Sequence, residues 1–175
     1  MNKLVNKVKL IVTLTGYQIV WFSCVLGEKY YPSSLLGFLV GIIFYLFYFS
    51  ITKNKTRFFK ISLCIVIPGY LFDTMMIYFS IYKFNTLLNF GLLPIWMISL
   101  WLSFSTLFDE ILLFFINYKI VGIVLGAILA TFTYYSGIFL GIIFIENTYI
   151  FFTIMFMFWS LLMYYYLNIL LKKIT

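Results

Sequence analysis

Asp73 lies near the centre of the apolar stretch 61–80, ISLCIVIPGYLFDTMMIYFS. A carboxylate at the centre of a membrane helix costs roughly 2.5–3.5 kcal/mol on insertion scales, so it turns toward protein or water and marks a candidate functional group. No Lys or Arg stands in the interior of an apolar stretch, where it could pair with Asp73. Two states make such burial tolerable: protonation of the acid, or solvation by polar neighbours and water. Counting helical rise from the span centres puts Gln18 and Ser103 within a few ångströms of the midplane, with Asp73, Trp21 and Trp101 roughly 4–5 Å to the outer side. These five residues form the candidate intramembrane site, a polar layer of Gln18, Asp73 and Ser103 between apolar walls of Trp21 and Trp101. Such a layer suits a proton, a cation or a polar headgroup, or else a hydrogen-bonded clasp that fixes helix register.

A second candidate lies further along the stretch that holds Ser103. Trp96, Ser99, Ser103, Thr106 and Glu110 recur at intervals of three and four, which places them on one helical face. Asp109 adjoins that face. Asp109, Glu110 and Thr106 are the secondary site, toward the cytoplasmic end where Lys119 or water can relieve the acids. Adjacent carboxylates point about 100° apart on a helix, a poor geometry for a shared metal ion. The chain has no histidine, which removes imidazole metal sites, His-ligated haem and Ser-His-Asp hydrolysis. No cofactor or metal is expected. Cys24 and Cys64 fall at opposite ends of their stretches, too far apart in depth for a disulfide.

The elements that must position these groups follow from composition. Of 175 residues, 65% are apolar and 10% charged, far from the balance of a soluble domain. Six stretches reach the roughly 20 residues that one helical crossing needs: 8–27, 33–51, 61–80, 92–116, 120–145 and 149–171. Strand-type alternation is missing from them, which argues against a barrel. The expected fold is all-α, a polytopic bundle of six transmembrane helices in a single domain over 1–175. With both termini in the cytoplasm, Lys3, Lys7, Lys9, Lys53, Lys55, Arg57, Lys60, Lys119, Lys172 and Lys173 fall inside and only Lys29 and Lys83 outside, the asymmetry of the positive-inside rule. Tyr30, Tyr31, Tyr82 and Trp96 then form the outer aromatic belt, and Glu28 and Glu146 also fall outside. The net charge of +7 thus reflects topology and not a nucleic-acid face. The first apolar stretch is too long for a signal-peptide core and no small-residue cleavage site follows it, so it is expected to be retained.

Glycine spacing indicates how the bundle packs. Gly37/Gly41, Gly122/Gly126 and Gly137/Gly141 are three GxxxG pairs, the spacing that lets helix backbones approach closely in lipid. Within one chain this gives helix packing; between chains it gives a homo-oligomer. Pro68, followed by Gly69, removes a hydrogen bond inside the third stretch and predicts a kink one turn before Asp73.

The segments 17–27 (YQIVWFSCVLG), 71–75 (LFDTM) and 94–107 (PIWMISLWLSFSTL) resemble a family of small multi-pass bacterial inner-membrane proteins catalogued as a domain of unknown function. The resemblance runs from about Tyr17 to Leu140 and implies a bacterial inner-membrane location, with the lipid bilayer as partner and no established activity. Three functional readings stay open. The first is a small transporter or permeation protein built around the Asp73 carboxylate, for which Trp21-Phe-Ser and Trp101-Leu-Ser hint at two inverted halves of three spans. The second is a membrane-embedded enzyme or accessory subunit in lipid modification, with Asp73 as general acid or base. The third is an assembly protein with a membrane-protein partner. No nucleophile–base motif supports catalysis.

Overall fold

The computed structural model describes residues 2–31, 35–86 and 88–174. The start of the second apolar stretch at residue 33, and the side chains of Lys3 and Lys7, lie outside what is described. Six helices dominate: α1 (Asn2–Tyr30), α2 (Leu36–Ile51), α3 (Lys55–Tyr78), α4 (Ile95–Glu110), α5 (Lys119–Phe139) and α6 (Thr148–Tyr165). The chain beyond α6 runs through a π turn (Tyr166–Leu170) into a last helical turn. Side chains cap two of the starts: Asn54 Oδ1 accepts from Arg57 N at 3.0 Å and Asn147 Oδ1 from Ile150 N at 3.1 Å, each satisfying a backbone donor that has no intrahelical partner.

Among the described residues four helical segments, Val8–Tyr30, Lys55–Tyr78, Lys119–Phe139 and Thr148–Lys173, are long and apolar enough to cross a membrane. Their outward residues are apolar: Leu71, Ile120 and Phe139 are exposed, as befits side chains whose solvent is lipid. Helices α2 and α4 have 16 residues each, about 24 Å of rise against a hydrocarbon core of about 30 Å. Two stretches read from the sequence as single helices are shorter. The 92–116 stretch divides into α4 and a 3-10 segment (Leu112–Asn117). The 120–145 stretch ends as helix at Phe139, and Ile143–Ile145 is a strand.

Helix α4 is the hub. It packs on α1, α2 and α3, while α5 pairs chiefly with α6. The serines of α4 explain the close packing, because a small side chain lets backbones approach and its hydroxyl still finds an acceptor. Ser99 and Ser103 donate to the carbonyls of Gly37 and Gly41 at 3.3 and 3.2 Å, and Ser105 shares a hydrogen bond with Ser62 of α3 at 2.7 Å. The units are therefore α1–α4 and the α5–α6 hairpin. The two halves of three spans hinted at by the Trp-x-Ser repeats are not the packing units, since α2 and α4 form the densest pair.

Aromatic side chains fill the seam between the two units. Phe72 stacks on Phe158 at 3.7 Å between centroids and Trp101 on Trp159 at 5.4 Å, while Tyr166 meets Phe108 edge-on at 4.8 Å. Tyr166 also donates its hydroxyl to the Phe108 carbonyl. A short antiparallel pair, β1 (Tyr82–Phe84) with β4 (Ile143–Ile145), ties the α3–α4 connection to the α5–α6 turn. A second small ribbon, β2 (Asn89–Phe90) with β3 (Leu93–Pro94), turns at Gly91, whose φ of 66° suits glycine.

Candidate functional site

The site is built around Asp73, which is fully buried. Pro68 lies inside α3, and Gly69 leaves room beside it: a Cβ there would stand 2.4 Å from the Trp101 ring. The Trp101 indole of α4 thus lies against α3 one turn before Asp73, and its Nε1 donates to Asp73 Oδ2 at 2.7 Å. Beyond the end of α3 the chain reverses through Ser80, which adopts a φ of 57°. The reversal brings Tyr82 back over the helix end, where its hydroxyl donates to Oδ1 at 2.6 Å. Helix α5 supplies Tyr134, whose hydroxyl lies 2.8 Å from Oδ1 and 3.0 Å from Oδ2. Three donors from three elements converge on two oxygens, an environment that suits an acceptor-only carboxylate. Tyr134 carries the bond across the seam, so Asp73 ties the hairpin to the four-helix unit.

This arrangement differs from the layer expected from the sequence. Gln18 is exposed on the outer side of α1 and does not join Asp73. Ser103 is buried but turns to α2, donating to the Gly41 carbonyl. Trp101 is a donor to the carboxylate and not only an apolar wall. Tyr82 and Trp96, read as belt residues at the membrane surface, are buried at 0% and 4% exposure. Trp96 Nε1 donates to Glu28 Oε2 at 2.9 Å, and Glu28 is itself 6% exposed.

Beside the Asp73 node lies a cavity of about 70 Å³ at the seam, bounded by α1, α4, α5, α6 and the β1–β4 pair. Tyr17, Trp21, Phe84, Trp96, Trp101, Phe104, Tyr134 and Trp159 contribute its aromatic wall. Two wall residues, Trp101 and Tyr134, are the ones bonded to Asp73. Trp21 therefore faces the cavity, while the carboxylate stands behind the wall.

The secondary acids occupy a separate cluster at the other end of α4. Asp109 Oδ2 accepts from Tyr48 at 2.9 Å and Thr52 at 3.3 Å, and Arg57 Nη1 lies 3.6 Å from Oδ1. Glu110 pairs with Lys9 at 2.6 Å. Lys119, the cation expected to relieve these acids, instead donates to Asn168 at 3.3 Å. Thr106 bonds the backbone of its own helix at the Ser103 carbonyl, 2.7 Å away, and takes no part in the cluster. With Lys9 and Arg57 facing Asp109 and Glu110, the charges balance across α1, α3 and α4.

A family model described as protein of unknown function, DUF2878, matches residues 10–165. The chain belongs to the DUF2878 family. No curated protein and no solved structure matches it. The DUF2878 match contains the whole Asp73 node, Glu28 and every residue lining the seam cavity, whereas Lys9 of the charge cluster lies just outside it.

The glycine pairs of this DUF2878 chain take different roles. A Cβ on Gly37 would stand 2.6 Å from the Cys24 Cα, and one on Gly41 2.6 Å from the Ser99 Cβ, so α2 is held close to α1 and α4. A Cβ on Gly122 would stand 2.6 Å from the Phe115 Cβ and 3.1 Å from Leu167, whereas one on Gly126 would stand 2.8 Å from Met163 of α6 in the hairpin. Gly141 is not a helix-packing residue. It follows the end of α5 with a φ of 75° and open space around it, the left-handed position that ends a helix. Gly137 accordingly meets Ile143 of β4 and no second helix.

Proposed function

We propose that the chain is a six-span bacterial inner-membrane protein, with both termini cytoplasmic, that acts as a small transporter or permeation protein and binds its solute in the seam cavity. The ten-to-two distribution of Lys and Arg supports the orientation. Short α2 and α4 remain compatible with six crossings, because α4 is buried among α1, α2 and α3 and need not match the bilayer alone. Fusions of a periplasm-dependent reporter at Lys3 and Thr175 are expected to stay silent, and fusions after Tyr31 and Tyr149 to report. A signal from Thr175 would reverse the assignment.

One observation carries the functional reading: the cavity lies at the boundary of the two packing units, and its wall is held by the Asp73 node that joins them. A site between units that can shift is the usual place for a permeating solute. Asp73 is in this reading the latch and not the carrier, since an ion bound there would have to displace Tyr82, Trp101 and Tyr134 together. The same enclosure leaves the carboxylate no access to a lipid ester, so the general-acid role in lipid modification loses its support.

The chain's four tryptophans all line the cavity, which makes intrinsic fluorescence a direct reporter. Protein in lipid nanodiscs is expected to give a saturable fluorescence change with at least one member of a panel of small amphipathic solutes, neutral and charged. Proteoliposomes are expected to take up that solute. Ala130 faces the cavity, and Ala130→Phe, which fills it, is expected to abolish both signals while the protein still elutes as a single species. Absence of any saturable response, or one that Ala130→Phe leaves unchanged, overturns the proposal.

A further inference from the structure

We infer that the seam cavity selects an organic cation, an alkylated ammonium group, over a neutral group of the same shape. The inference rests on the cavity reading above and adds the charge of the ligand to it.

The first observation is the makeup of the wall. Four indoles, two phenols and two phenyl rings line one small, partly open space, and among the described residues no Lys, Arg, Asp or Glu lines it. Aromatic rings attract cations through the negative potential of their faces, and tryptophan does so most strongly; enclosure by several rings is the arrangement that recognises quaternary ammonium groups. The second observation is where the indole nitrogens point. Trp101 Nε1 is committed to Asp73 at 2.7 Å and Trp96 Nε1 to Glu28 at 2.9 Å. Neither carboxylate lines the cavity. These two indoles therefore send their positive N–H edges away from the space and leave ring carbon against it. Donation to an anion also polarises each indole, enriching the ring that the ligand would meet.

The third observation is an unspent acceptor. Glu28 is 6% exposed, and among the described residues its Oε1 is buried without a hydrogen-bond partner, as is the Nε1 of Trp159 in the cavity wall. In the charge cluster at the far end of α4, basic side chains face each acid. Glu28 and Asp73 differ: among the described residues neither has a basic side chain in ion-pair contact. Two carboxylates thus stand one side chain behind the wall with no cation to offset them. In a medium of low dielectric their field persists over that distance. A neutral ligand gains nothing from it. A permanent cation with a methylated surface suits both the rings and the field, and pays less desolvation than a primary ammonium because it donates no hydrogen bonds.

A matched pair of probes tests this. Choline and 3,3-dimethylbutan-1-ol share the same shape and hydroxyl and differ in the charged nitrogen. Titrated calorimetrically into wild-type protein in nanodiscs of zwitterionic lipid, choline is expected to bind at least tenfold more tightly than the alcohol. Glu28→Gln, which keeps an acceptor for Trp96 but removes the charge, is expected to reduce that ratio to threefold or less without changing the affinity for the alcohol. Equal affinities, or tighter binding of the alcohol, overturn the cation assignment and leave the cavity reading standing. Failure of both probes and of every solute in the wider panel overturns the two together. Should Glu28→Gln fail to fold, the wild-type ratio alone still decides.

Discussion

Asp73→Leu is expected to lower the unfolding temperature of the detergent-solubilised protein by about 10 °C, whereas Asp73→Asn shifts it by no more than about 4 °C. Leucine fits the space but accepts nothing, so Tyr82, Tyr134 and Trp101 lose their acceptor inside the protein. Each buried donor left without a partner costs roughly 1–3 kcal/mol. Partial relaxation leaves a net loss on the order of 3–4 kcal/mol, and 1 kcal/mol moves the midpoint of a chain of this size by roughly 2–4 °C. Asparagine behaves differently because the donors differ. Trp101 Nε1 can only donate, so the amide oxygen must take the place of Oδ2. The amide nitrogen then faces Tyr82 and Tyr134, whose hydroxyls can rotate and accept. Thermal scans following the seam tryptophans check the ordering. If leucine melts with wild type, Asp73 does not hold the seam. If asparagine melts as low as leucine, the charge and not the hydrogen bonding carries the stability.

The Asp73 node shows what the sequence carried and what it could not. An acid inside a twenty-residue, largely apolar stretch is visible as an anomaly because its cost in lipid is large. Its donors are invisible for separate reasons. Tyr82 lies nine residues beyond Asp73 and reads as an interfacial aromatic, because nothing in its type announces the reversal at Ser80. Tyr134 is one of fifteen tyrosines, distinguished only by facing a neighbour from another unit. Gln18 misleads in the opposite direction: a position along α1 says nothing about which face of the helix turns inward. The α4 stripe was legible since periodicity of three and four fixes a face. Its targets, the Gly37 and Gly41 carbonyls on one side and Glu28 and Lys9 at the ends, depend on which helices neighbour α4. The extent of each helix depends on such local conformation as well. The apolar run through Ile145 reads as helix on composition, yet Gly141 in the left-handed conformation stops α5 and turns the remainder into β4.

Gly37→Ala and Gly126→Ala add the same methyl group to the same type of GxxxG pair, and they are expected to part company. At Gly37 the new carbon would meet the Cα of Cys24 at 2.6 Å and its backbone nitrogen at 3.0 Å. Backbone cannot rotate out of the way, so α1 and α2 must separate. The Gly37 carbonyl moves with them and loses the hydrogen bond from Ser99 at 3.3 Å. Overpacking of this kind costs roughly 1–3 kcal/mol, with about 1 kcal/mol more for the lost hydrogen bond. At Gly126 the neighbours are the Cγ, Sδ and Cε of Met163, the nearest at 2.8 Å. Methionine has three rotatable bonds and refills space readily, while alanine in a helix interior gains roughly 1 kcal/mol over glycine. Gly126→Ala is therefore expected to melt within about 2 °C of wild type, and Gly37→Ala about 8 °C lower. Equal shifts in the two variants would mean that backbone contact between α1 and α2 is not what sets the stability of the four-helix unit.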